Sequence, residues 1–125
     1  MHLPAAKATH HFIGTAFLSR MKVGWYVINT ARGSIVDESA LYDAIVFGQV
    51  AGASLDVFET GPYVPVEPAK DLRKLAQVLL TPHVSSSTVE ACQRMAHKAL
   101  ANIKAAFERK YERLDIVNPE VIGKL

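Results

Sequence analysis

The sequence predicts an α/β fold built on a parallel sheet, from three observations. Residues 25–30 (WYVINT), 50–58 (VAGASLDVF) and 77–82 (QVLLTP) are continuous runs of apolar or small residues, without polar alternation. Segments with helical apolar spacing stand between and after them. Each run leads to a polar residue at or near its end: Arg32, Asp56 and His83. Continuous apolar strands interleaved with helices point to a parallel sheet covered on both faces. In such sheets ligands bind beyond the carboxyl ends of the strands, where these three residues fall.

The elements follow in chain order. Residues 15–21 (TAFLSRM) read as a short helix with Phe17, Leu18 and Met21 inward, broken by Gly24. Aromatic and β-branched content makes residues 25–30 a strand. Asp37 is a suitable N-cap for the next helix, Leu41, Ala44 and Ile45 form its apolar face, and Gly48 stops it. The second strand spans residues 50–58. Gly61, Pro62, Pro65 and Pro68 mark residues 59–69 as a loop before the third strand at 77–82. Ser87 and Glu90 have capping-box spacing. Behind them Cys92, Met95, Ala99, Ile103 and Phe107 repeat at helical intervals, predicting a helix over about 87–110 and an irregular tail over 111–125.

Composition narrows the function. A chain of 125 residues can bury a core, and half of this one is hydrophobic with 21% charged residues, as in ordinary globular domains. The formal net charge of +2 gives no case for a nucleic-acid or anionic-membrane partner. No apolar run approaches the roughly 20 residues of a membrane span, and no signal-peptide layout opens the chain. The single cysteine, Cys92, excludes an internal disulfide framework and points to a reducing, cytoplasmic setting. His10 and His11 are adjacent, so their side chains diverge, and no cysteine or carboxylate stands nearby at ligand spacing; no metal site is expected.

Each strand-end residue has a plain and a functional reading. Arg32 either pairs with a nearby acid such as Asp37 or grips a ligand carboxylate with its planar fork. His83, in TPHVSSS, is either an ordinary loop histidine or a group that gives and takes a proton near neutral pH. Asp56 lies in an apolar strand, where an unpaired carboxylate is costly; it bonds either a protein donor or a ligand amide. The run SSSTVE either caps the last helix or turns backbone N–H groups toward a ligand. A hydrolase triad of Ser85, His83 and Asp56 lacks a nucleophile-elbow sequence and is set aside.

The blocks INTARGSIVDESALYDAI, GQVAGASLDVFE and LLTPHVSSST, in this order and spacing, resemble the signature blocks of the D-isomer-specific 2-hydroxyacid dehydrogenases. That family includes phosphoglycerate, glycerate, D-lactate and formate dehydrogenases and glyoxylate reductases. HLPAAKATHHFIG resembles the stretch leading into those blocks, so the likeness covers roughly residues 2–107. It implies the second half of a Rossmann-like NAD-binding domain over residues 1–110, with a long C-terminal helix. By the same resemblance Arg32 binds the substrate carboxylate, His83 is the acid–base group, and Asp56 holds the nicotinamide carboxamide. Leu3, Thr30, Ala31, Arg32, His83, Ser85 and Ser86 would line the cofactor, NAD or NADP. The implied substrate is a small 2-hydroxy or 2-oxo acid.

The sequence departs from the family in two ways. The family usually carries a Glu five residues after the Asp, before a Pro, to orient the catalytic His; Gly61 stands there, followed by Pro62. Formate dehydrogenases lack that Glu as well, and a glycine there could also serve a backbone angle with φ > 0. Glu59 is a poorly placed substitute. Second, the 125 residues contain no G-x-G-x-x-G turn. The isolated chain is therefore expected to be catalytically incomplete and to bind the dinucleotide weakly. It is also expected to form a homo-oligomer that covers the faces a whole domain would bury. The alternative is a non-catalytic α/β assembly or regulatory module.

Overall fold

The computed structural model describes residues 1–124. The chain divides into two compact units, Met1–His83 and a second from Val84 onward, each described by itself.

In the first unit, strands β1 (Trp25–Asn29), β2 (Val50–Leu55) and β3 (Val78–Leu80) form one sheet in the order β1-β2-β3. Both pairings are parallel, with Asn29 opposite Leu55 and Leu55 opposite Leu80. The three strands therefore end in register, and the residues that follow them share one edge. The predicted strands run further at their carboxyl ends, and the third also starts one residue earlier. The last rung between β1 and β2 is the bond from Asp56 N to Asn29 O, beyond which the chain after Asn29 turns away.

Helices α1 (Thr15–Leu18) and α2 (Glu38–Val46) complete the unit. As expected, Asp37 caps α2, its Oδ1 accepting from Ala40 N at 2.9 Å. Gly48, with φ +75°, carries the chain out of α2 in the left-handed region where a side chain is strained. Leu18, Leu41 and Ile45 pack with Val27, Ala53 and Leu55 in the core. Fully burying a Leu of this kind is worth roughly 1.5–3 kcal/mol. The expected helix over 15–21 is only one turn. Phe17 is exposed and tilts against Phe12 with ring centroids 5.5 Å apart, so Leu18 alone of the three expected residues is fully inward.

Only one sheet face is buried, in contrast to the two-sided cover expected. Val27, Asn29, Ala53 and Leu55 lie on the buried face, while Tyr26, Ile28 and Leu79 are 67%, 56% and 61% exposed on the other. Runs with so few polar residues point to cover on both faces; β1 nevertheless alternates in burial.

The second unit is dominated by α3 (Val89–Phe107), followed by 3-10 turns at Tyr111–Arg113 and Pro119–Lys124. The cap is Thr88, whose Oγ1 accepts from Ala91 N at 3.1 Å, so the expected Ser87–Glu90 box starts one residue early. The helix also stops at Phe107, short of Lys110. Its stripe of Met95, Leu100, Ile103 and Phe107 is exposed, and Ala105 is its one buried residue. The predicted irregular tail holds the two short turns, and Leu125 lies outside the described residues.

Candidate functional site

The site grows from the three strand ends. Asn29, the last residue of β1, is fully buried. Its Nδ2 donates to Arg32 O at 2.9 Å and its Oδ1 accepts from Ala31 N at 3.0 Å. One side chain thus folds Thr30–Arg32 into a turn and presents Arg32 at the sheet edge. Gly33 follows because nothing larger fits: a Cβ there would lie 1.8 Å from Phe58 O. This close approach brings the chain after β1 against the chain after β2.

Arg32, Asp56 and His83 line one cavity of about 750 Å³ at the carboxyl edge. Arg32 makes no ion pair with Asp37 among the described residues. Its Nη1 donates to Ala31 O at 2.6 Å, and the rest of its fork makes no hydrogen bond among the described residues. Asp37 instead caps α2 and lies 3.9 Å from His11. Asp56 Oδ1 accepts from Thr81 Oγ1 and from His83 N, the latter at 3.2 Å. The protein-donor reading of Asp56 thus holds for that oxygen, while its Oδ2 has no protein donor among the described residues. His83 has φ +54°, a left-handed conformation uncommon for a residue with a side chain. Such backbone costs energy and clusters at functional sites.

Leu3, Thr30 and Ala31 are not part of the cavity wall. Leu3 and Thr30 are exposed, and Ala31 is buried in the core. Ser85 and Ser86 belong to the second unit, where both are exposed.

Gly61 lines the cavity with no side chain, and Glu59 does not replace the carboxylate. Glu59 Oε2 lies 2.8 Å from His11 Nε2, and its Oε1 accepts from Glu38 N at 3.0 Å. Glu38 Oε1 in return accepts from Glu59 N at 2.7 Å. This reciprocal clamp ties the loop after β2 to the start of α2. Burial pushes the Glu38 carboxyl above its ordinary range, and its buried Oε2 has no hydrogen-bond partner among the described residues.

Sequence reasoning missed the wall formed by Phe58, Tyr63 and Arg73. Tyr63 packs edge-on to Phe58, and its Oη accepts from Leu72 N at 2.9 Å. Burial raises the Tyr63 pKa above the usual phenol value. Arg73 lies over the Tyr63 ring at 5.5 Å and is held by Asp71, whose carboxyl it keeps below its ordinary range. The available signal was the Asp71–Leu72–Arg73 spacing, an Asp cap ahead of a short turn, but a proline-rich loop gives no hint of which wall it builds. Among the described residues no group of three or more acidic, His or Cys side chains could hold a metal, and no helix is long and apolar enough to cross a membrane.

The model of the D-isomer specific 2-hydroxyacid dehydrogenase NAD-binding domain matches residues 1–85. A glyoxylate reductase of Thermofilum pendens is 44% identical over 122 residues, 98% of this chain and 35% of the relative. A D-3-phosphoglycerate dehydrogenase of Archaeoglobus fulgidus is 50% identical over 91 residues, 73% of this chain and 17% of that protein. Among solved structures, a glyoxylate reductase from Paecilomyes thermophila superposes with a TM-score of 0.76 at 38% identity, covering 87% of this chain and 32% of that one. The D-lactate dehydrogenase of Aquifex aeolicus, complexed with NAD and lactic acid, superposes with a TM-score of 0.75 at 35% identity, over 90% and 37%. The chain spans about a third of the length of the glyoxylate reductases it matches. It belongs to the D-isomer specific 2-hydroxyacid dehydrogenases and carries part of their NAD-binding domain.

Proposed function

We propose that this chain supplies the substrate-facing part of an NAD(P)-dependent oxidoreductase that interconverts small 2-hydroxy and 2-oxo acids. The observation that carries the reading is the convergence of Arg32, Asp56 and His83 on one cavity at the sheet's carboxyl edge. The free part of the Arg32 fork suits a carboxylate. His83 holds the proton that a developing alkoxide needs. Asp56 Oδ2, which has no protein donor among the described residues, fits the amide of a nicotinamide, with Thr30, Ala31 and Leu3, outside the cavity wall, as further cofactor contacts. When bound, the nicotinamide supplies the hydride. Arg32 fixes the acid and polarises the carbonyl, and His83 protonates the oxygen on reduction and takes the proton back on oxidation.

We assign residues 1–110 to the cofactor-binding domain and 111–125 to a tail, in a cytoplasmic homo-oligomer. The 125 residues lack the glycine-rich turn that cradles a pyrophosphate, so dinucleotide binding by the isolated chain is weak. NADH titration should give a calorimetric dissociation constant weaker than micromolar. Backbone amide NMR shifts should centre on Ala31, Asp56 and His83. Micromolar or tighter affinity contradicts the weak binding, and shifts elsewhere alone contradict the site. Gly61, together with Glu59 being held by His11, favours a second reading, a non-catalytic α/β module. That module would bind without supporting hydride transfer.

A further inference from the structure

The cavity that holds Arg32 carries a second guanidinium, and its setting is built. Arg73 donates from Nε to Asp71 Oδ1 at 2.9 Å and from Nη2 to Asp71 Oδ2 at 2.7 Å. Its guanidinium lies 5.5 Å over the Tyr63 ring, and Tyr63 Oη is fixed by Leu72 N. Arg73 is therefore held by a two-point fork and an aromatic face before any ligand arrives, so little ordering remains to oppose binding. The pair is also oriented: the Asp71 side chain is 8% exposed and that of Arg73 is 58% exposed. The anion lies inward and the cation is the exposed partner in the cavity wall, with Nη1 making no hydrogen bond among the described residues. Among the described residues Asp56 is the one carboxylate in the cavity wall, and its Oδ1 is occupied by Thr81 and His83.

We propose that Arg73 is a specificity-determining residue that favours 2-oxo acids bearing a second anionic group, carboxylate or phosphate, over monoanionic ones. The inference rests on the reading of Arg32 as the anchor for the first carboxylate. A cavity of about 750 Å³ is much larger than a three-carbon acid, which leaves room for a chain with a second charged end. The effect is moderate, because Arg73 is partly exposed and shares its charge with Asp71.

The test is titration of the 125-residue chain with pyruvate, 2-oxoglutarate and 3-phosphohydroxypyruvate, followed by amide NMR at low ionic strength, where screening is weak. The wild type should bind at least one dianionic acid more tightly than pyruvate, by roughly two- to fivefold. Which of the two shows the gain identifies the anion as carboxylate or phosphate. In Arg73→Ala the ratio should fall to about one. Asp71→Asn keeps the Oδ1 acceptor for Arg73 N while removing the neutralising charge, so there the ratio should rise. A merely structural pair would lose stability in both variants without moving the ratio in opposite directions. Equal affinity for all three acids in the wild type overturns this inference and leaves the 2-oxo acid reading standing. Binding of none overturns both. A preference that persists in a folded Arg73→Ala overturns the role of Arg73. If that variant does not fold, an unchanged ratio in Asp71→Asn overturns it.

Discussion

Two residues decide how far the site can work. At Gly61 the structure separates a vacated position from a conformational need. Gly61 is not among the positive-φ residues, and a Cβ added there meets nothing within 4 Å. Gly61→Glu should therefore fold as well as its parent and bring a carboxylate to the cavity of His83. A nearby negative charge favours the imidazolium, so the His83 ring should keep its proton to higher pH in the variant, as followed by NMR titration. Identical titration in two equally stable proteins would show that a residue at 61 does not reach His83. Glu38 gives a second pH signature. Its carboxyl is raised above the ordinary value of 4.5 in the folded chain, burial being the main cause. Such a group stabilises the fold below its unfolded value and loses that contribution as pH rises through the folded value. Glu38→Gln, which does not titrate, should gain in melting temperature relative to the wild type as pH increases from 4 to 8. A constant difference over that range would exclude Glu38 as the titrating group.

At the scale of elements, the sheet was legible because strand ends carry signals that survive in local sequence. Asp37 marks the start of α2, and Arg32, Asp56 and His83 follow the three strands. Strand lengths were less legible. Apolar residues continue past Leu55 into Val57 and Phe58, while pairing ends where the Asn29 side chain turns the neighbouring chain away, which hydropathy does not report. The contacts that position the site are long-range and left no local trace. The Glu38–Glu59 clamp joins residues 21 apart in sequence, and the His11–Glu59 pair joins residues 48 apart. In sequence Asn29 looks like one more strand residue, yet it organises the turn that presents Arg32. Gly33 binds two elements together by its size alone. Gly33→Ala would push a Cβ into the Phe58 carbonyl, so it should cost about 1–3 kcal/mol in chemical denaturation and displace the Phe58–Tyr63 wall. A fully stable alanine variant would mean that the two loops do not meet as closely as described.

For the whole molecule, the exposed face of Tyr26, Ile28 and Leu79 in the first unit and the apolar stripe of α3 in the second both favour self-association. Light scattering at rising concentration should report a dimer or larger species, with Tyr26→Lys or Ile28→Lys shifting it toward monomer; a monomer at high concentration would contradict the proposed oligomer. Family membership was legible because the three motif blocks survive intact. The matched glyoxylate reductases are about three times longer than this chain. The most direct measurement of the central claim therefore puts this chain in place of the matching third of the Thermofilum pendens glyoxylate reductase and follows NADH oxidation with glyoxylate. The account predicts measurable turnover, with Arg32→Ala raising KM for the acid. His83→Ala should lower kcat, on the order of 10²-fold or more, as removal of a general acid does. A folded chimera that binds NADH and turns over equally well without Arg32 or His83 would contradict it.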